Sequence, residues 1–161
     1  MKNIVILFLL LTVHISLVGK KQGMPLADSL AIILASPNSK EDTNKVKLLG
    51  QLVNCTYGNR NKEMMQYAEQ ELKLAERLNY QDGIAKGYYD VGLAWYELNN
   101  QVEALKNFVK ALEINQTIKN KTGIATCSNR IGWAYYLQSD FPTALQNYIV
   151  AEKIFEETDD N

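Results

Sequence analysis

The chain repeats itself with a period of 40 residues, and that period limits the fold more than any other property of the sequence. Displaced by 40 positions, Gly83-Ile84-Ala85 falls on Gly123-Ile124-Ala125. Gly92-Leu93-Ala94-Trp95-Tyr96 likewise falls on Gly132-Trp133-Ala134-Tyr135-Tyr136. Ala104, Leu105, Asn107, Phe108, Ala111 and Ile114 meet Ala144, Leu145, Asn147, Tyr148, Ala151 and Ile154. A register this dense in small and aromatic residues is a structural unit used more than once.

Each unit holds two helical periods. Tyr88, Val91, Gly92 and Trp95 follow the i, i+3, i+4, i+7 spacing that puts side chains on one helix face. Ala104, Phe108, Ala111 and Leu112 do the same on the next. Leu98-Asn99-Asn100-Gln101 between them has room only for a tight antiparallel turn. Asn100 and Glu103 have capping-box spacing, Asp140 is a cap in the next copy, and Pro142 falls in a first turn, where its missing N–H costs little. Gly83 and Gly123 are expected to close the preceding helices in a left-handed conformation. Gly92 and Gly132 sit mid-helix, where glycine costs about 1 kcal/mol relative to alanine. A partner backbone too close for a side chain accounts for them, with Ala104 and Ala144 as the small residues opposite.

These residues resemble the tetratricopeptide repeat family. Its pattern of aromatic or Leu, Leu-Gly and Tyr, then Ala, aromatic and Ala, is matched by Tyr88, Val91-Gly92, Trp95, Ala104, Phe108 and Ala111. The last unit offers Ser128, Ile131-Gly132, Tyr135, Ala144, Tyr148 and Ala151. The family's usual period is about 34 residues. Gln116 stands where a proline is common, so second helices lengthened by about one and a half turns are expected. The resemblance implies an all-α, right-handed solenoid of antiparallel helix pairs with about three repeats. Residues 43–83 form a degenerate first repeat, 84–123 a second and 124–161 a third, after a leader with a short helix over 20–42.

The N-terminus has a different character. Lys2 precedes the apolar run Ile4–Val18, and Gly19-Lys20-Lys21 returns the chain to water. A membrane span needs about 20 residues, so this shorter run suits an export signal over 1–19. An uncleaved membrane anchor and a buried core helix are the alternatives. Location is accordingly expected to be periplasmic or secreted, or membrane-attached through that segment alone. Cys55 and Cys127 fall on first helices two repeats apart, too far for a bridge, and read as small buried side chains.

Catalysis finds little support in the residues. His14 is the single histidine and lies in the apolar run, so imidazole bases and most zinc sites are excluded from the rest of the chain. No phosphate-binding or dinucleotide glycine motif occurs, and no cofactor or metal is expected. Glu69, Glu71, Glu76, Glu152, Glu156 and Glu157 read as solvated faces of second helices. With 17 basic against 18 acidic residues there is no field for nucleic acid.

A protein or extended peptide is the expected partner. First helices of such solenoids line the concave side, which offers Lys86, Tyr89, Leu93 and Tyr96 from the middle unit. The last unit adds Thr126, Asn129, Arg130, Trp133 and Tyr136. Aromatic rings with a few donors are hot-spot chemistry. A ligand carboxylate would be held by Lys86 or Arg130 and its backbone by Asn129. The alternative is inter-repeat packing of Trp133 and Leu93, leaving no open groove. The final helix carries Ile149, Ile154 and Phe155, so self-association through it is a second expectation, that of a structural repeat module without a peptide ligand. The export segment, the Asp28-Ser29-Leu30 stretch and the 40-residue repeats are together similar to the outward-facing repeat region of Bacteroidetes-type sensor proteins, which implies a role in signal transduction.

Overall fold

Seven helices and no strand are found among the described residues, 26–36 and 40–159 of the computed structural model. The expected export segment over 1–19 lies outside them. Helix α1 spans Leu26–Leu34, α2 Thr43–Thr56, α3 Asn61–Arg77, α4 Gln81–Glu97, α5 Gln101–Thr117, α6 Lys121–Leu137 and α7 Phe141–Asp159. The chain is therefore a series of antiparallel hairpins, α2–α3, α4–α5 and α6–α7, preceded by α1. Asp28 of α1 is held 2.8 Å from Arg60 at the start of α3, which fastens the leading helix to the first hairpin.

Helices α3 through α6 each contain 17 residues. The 40-residue period thus divides evenly, and the extra length expected of second helices alone is shared by both helices of a hairpin. The punctuation is equally regular. Asn79, Asn99, Lys119 and Ser139 all adopt positive φ, between 50° and 63°. The following amide in each case reaches back five residues: Tyr80 N–H donates to Ala75, Asn100 to Trp95, Asn120 to Asn115 and Asp140 to Tyr135. This is the left-handed C-terminal closure of a helix, built without glycine. Gly83 and Gly123, expected to close helices, instead lie inside the first turns of α4 and α6. Their missing side chains admit Tyr80 and Ala75 in one case and the Asn115 side chain in the other.

Lys119 and Ser139 have no side-chain preference for left-handed backbone. We expect Lys119→Gly to raise stability by up to about 1 kcal/mol, because a β-carbon is strained there while glycine's own entropic cost is smaller. Asn99→Gly should change less, since asparagine tolerates this region. Chemical denaturation midpoints of the two variants would show the difference.

The helix starts are capped as their residues suggest. Asn100 accepts from the Glu103 amide at 3.2 Å, Asn120 from Gly123 at 3.0 Å and Asp140 from Thr143 at 3.2 Å. Only half of the capping box at Asn100 forms, because its own amide closes α4 and Glu103 turns to Lys106.

The main core cluster runs through the hairpins and includes Val53, Met64, Ala68, Val91, Leu93, Ala104, Phe108 and Ile131, and a second one joins Val46, Leu49, Leu74 and Ala75. Gly92 lies where an added β-carbon would meet the Phe108 ring at 2.7 Å and the Ala104 carbonyl at 3.2 Å. Gly132 repeats the arrangement with Tyr148 at 3.0 Å and the Ala144 carbonyl at 3.1 Å. Both glycines therefore serve close helix approach, as their spacing predicts.

Candidate functional site on the first-helix face

First helices pack on one another across repeats, α2 against α4 and α4 against α6. Consecutive second helices make no contact of comparable extent among the described residues. The closer spacing makes the first-helix side concave. A trough follows it, formed of three adjoining hollows of about 320, 360 and 260 Å³. The first two share Asn54, Asp82, Lys86 and Asn120; the second and third share Tyr89 and Thr126.

Most residues expected on this face meet here. The Arg130 Nε donates to the Tyr89 hydroxyl at 3.2 Å, joining the last repeat to the middle one. The Trp133 indole N–H donates to the Tyr96 hydroxyl at 3.2 Å, a second bond across the same junction. Trp133 stacks on Tyr136 with ring centres 5.5 Å apart, and Tyr136 meets Phe141 edge-on at 5.6 Å. Thr126, Asn129, Arg130 and Trp133 line the third hollow together with Tyr89 and Phe155. Leu93 does not belong to the face. It is 6% exposed and part of the core, because α6 covers it; Trp133, its counterpart one repeat on, is 39% exposed. Leu93 packs between repeats as the alternative reading has it, whereas Trp133 lies at the surface.

Lys86 occupies a different environment from that expected. Its ammonium lies 2.6 Å from Asp90, which is fully buried. Burial works against the ammonium charge, but Asp90 outweighs it and holds the lysine protonated. Lys86 is therefore already neutralised, whereas Arg130, and Lys47 at the rim of the first hollow, have no carboxylate ion pair among the described residues. Burial opposes the Arg130 charge too, and the Tyr89 hydroxyl more than compensates.

Glu71, read from sequence as a solvated side chain, is fully buried between α3, α2 and α4. Neither of its oxygens, nor Asp90 Oδ1, has a conventional hydrogen-bond partner. Burial first, and the Asp90 charge second, push its carboxyl up to about 9, with Lys86 partly offsetting them. Glu71 is thus a neutral acid at physiological pH, with the Asp90 charge nearby. Gly50 makes the space: a β-carbon there would lie 2.6 Å from Glu71 Oε1 and 3.2 Å from Lys86 Cε. Gly50, Asp90 and Arg130 are the same repeat position, so one register place supplies room, an anion and a cation in turn.

Further groove residues were not apparent from spacing. Asn54, Asp82, Asn115 and Asn120 line the middle hollow, two of them at helix junctions outside the regular face. The two cysteines are unbridged; Cys127 is buried, which pushes its thiol up to about 12, and Cys55 is half-buried.

No family model matches the sequence, and no curated protein matches it. Solved structures do match, 27 chains in all. One is the crystal structure of BtubC (BKLC) from P. vanneervenii, a helical repeat protein, with a TM-score of 0.62 and 19% sequence identity over 81% of this chain. The fold is a helical-repeat solenoid. The match spans 53% of the BtubC chain, so this solenoid corresponds to about half of that protein's length.

Proposed function

We propose that the chain is a protein-interaction scaffold of the tetratricopeptide type and not an enzyme. In this reading it acts outside the cytoplasm as the sensing or binding portion of a signalling protein. The ligand is an extended peptide lying along the first-helix trough, with a carboxylate on Arg130. One observation carries this reading. Arg130 is a half-buried guanidinium without a carboxylate partner among the described residues, set among Tyr89, Asn129, Thr126 and Trp133. A planar donor fork beside aromatic rings and an amide suits a peptide carboxylate and its neighbouring backbone. The 40-residue repeat and the BtubC likeness support the scaffold; the apolar segment Ile4–Val18 supports placement outside the cytoplasm.

A library of peptides displayed with free C-termini, panned on the wild-type chain, should enrich sequences carrying acidic or terminal carboxylates. Arg130→Ala should reduce the affinity of the enriched peptides at least tenfold, a loss of about 1.4 kcal/mol or more. Lys86→Ala should weaken them less, because Asp90 already occupies that ammonium. Enrichment unaffected by Arg130→Ala, or the absence of any enrichment, would overturn the reading.

A further inference from the structure

The second hollow of the trough, of about 360 Å³, has a charge balance opposite to that of the third. Asp82 and Asp90 both line it, and Lys86 is the one cation among its described lining residues. In the third hollow Arg130 stands without any acid. Lys86 has a carboxylate four residues away on either side, Asp82 toward the start of α4 and Asp90 toward its end. It takes Asp90, at 2.6 Å, because that carboxylate is fully buried while Asp82 is exposed. A buried charge left unpaired costs far more than one left in water. Asp82 is thereby left with no ion pair among the described residues. Asp90 keeps its Oδ1 buried in the wall without a hydrogen-bond partner. Lys47 lines the first hollow and not the second, and forms no ion pair with Asp82. A carboxylate in the first turn of α4 also steadies the helix start, and that role leaves its outer lone pairs open to a ligand.

We propose that this hollow takes a basic side chain of the bound peptide, with its ammonium or guanidinium on Asp82 and its methylene stem over Ala85, Tyr89 and Gly123. A long basic side chain matches that combination of an apolar wall for the stem and an acid for the head. An acidic side chain would meet two carboxylates against one ammonium already committed to Asp90. An apolar one would take water from Asp82 and return no partner. Tyr89 and Thr126 line both hollows, so a ligand passing from the second to the third carries a base and then a carboxylate. Seven residues of α4 separate Asp82 from Tyr89, about 10 Å along the axis. An extended chain covers that distance in about three residues. This order along the ligand rests on the peptide reading, with the base about three residues before a C-terminal carboxylate. The preference of the hollow for a cation does not depend on Arg130, which lines another.

N-acetyl-lysine methylamide titrated into the full chain should move the backbone amide resonances of Asp82, Ala85 and Thr126. N-acetyl-norleucine methylamide, which keeps the stem and lacks the charge, should bind about fivefold more weakly. Asp82→Asn, a nearly isosteric change at an exposed site, should keep the helical circular dichroism and remove that difference. Arg130→Ala should leave it in place. In peptides enriched on the trough, lysine or arginine should recur about three residues before the carboxylate. Exchanging that residue for norleucine should cost about fivefold on the wild type and nothing on Asp82→Asn. Equal binding of the two amides, no binding of either, or a lysine preference that survives Asp82→Asn would overturn the inference. A lysine preference that depends on Asp82, with enriched peptides indifferent to Arg130→Ala, would uphold this subsite and sink the carboxylate reading. Peptides that need Arg130 but ignore both the base and Asp82→Asn would sink the subsite alone.

Discussion

From about pH 4.5 to about pH 9 the protein should lose thermal stability steadily, and Glu71→Gln should abolish most of that loss. The sign follows from the raised pKa. In the unfolded chain Glu71 releases its proton near its ordinary value of 4.5, whereas in the fold it keeps it until about 9. Between those values the native state holds one more proton than the unfolded state, so raising the pH favours unfolding. The stabilisation is complete below the lower value and gone above the upper one, with a limiting slope of about 1.4 kcal/mol per pH unit. The window is otherwise quiet, because the one histidine is His14 and the buried Cys127 thiol is pushed up to about 12. Glutamine keeps the shape and a donor toward Asp90 but has no proton to lose. The variant should melt higher than the wild type at the alkaline end and nearly level across the range. Asp90→Asn should retain much of the slope, since burial and not Asp90 is the leading cause. Wild-type melting temperatures that stay flat through the window would show that Glu71 is not held as a neutral acid.

That buried acid also shows where sequence reasoning reaches its limit. Helical period sets Glu71 in the stripe of Met64, Ala68 and Ala75, apart from the exposed Glu69 and Glu76, and at the repeat position of Ala111 and Ala151, but a carboxylate there reads as solvated when judged by its charge. What admits it to the interior is Gly50, twenty-one residues away on another helix, whose missing side chain makes the room. A pairing across three helices has no signature in local spacing. The turns are a different case. They recur every 20 residues in plain view, but a search for glycine passes over Asn79, Asn99, Lys119 and Ser139, which take left-handed backbone without it. The hairpin pairing and the Gly92–Ala104 and Gly132–Ala144 approaches were legible because each is written twice in the same register. Repetition also misled: Leu93 and Trp133 are equivalent in sequence, but Leu93 is buried beneath α6 whereas Trp133 is exposed among the described residues. Tyr89, Arg130 and Trp133 share the first-helix face because that face depends on little beyond the helical period.

The glycines of the first helices should respond to alanine in a fixed order, Gly87 most severely, then Gly92, then Gly132. Alanine brings the same gain in each helix, about 1 kcal/mol of propensity, so differences must come from what the new methyl group meets. At Gly87 it would stand 2.8 Å from the Leu72 Cα and 3.1 Å from its amide nitrogen. That is backbone, and relief requires α3 and α4 to move apart as whole helices. At Gly92 the obstacle is the Phe108 ring at 2.7 Å, itself only 2% exposed and closely surrounded. At Gly132 the Tyr148 ring is 3.0 Å away on a half-buried side chain of α7 that has room to shift, and the Ala144 carbonyl at 3.1 Å needs to give by only a few tenths of an ångström. Overpacking in a close-packed core costs about 1–3 kcal/mol. We therefore expect a net loss of about 2 kcal/mol for Gly87→Ala, about 1 kcal/mol for Gly92→Ala and little change for Gly132→Ala. Urea unfolding of the three variants measures this directly. Equal gains at all three would mean that propensity alone governs these positions. A loss confined to Gly87 would mean that the rings and the carbonyls opposite Gly92 and Gly132 yield, and that only the closer Leu72 backbone is rigid.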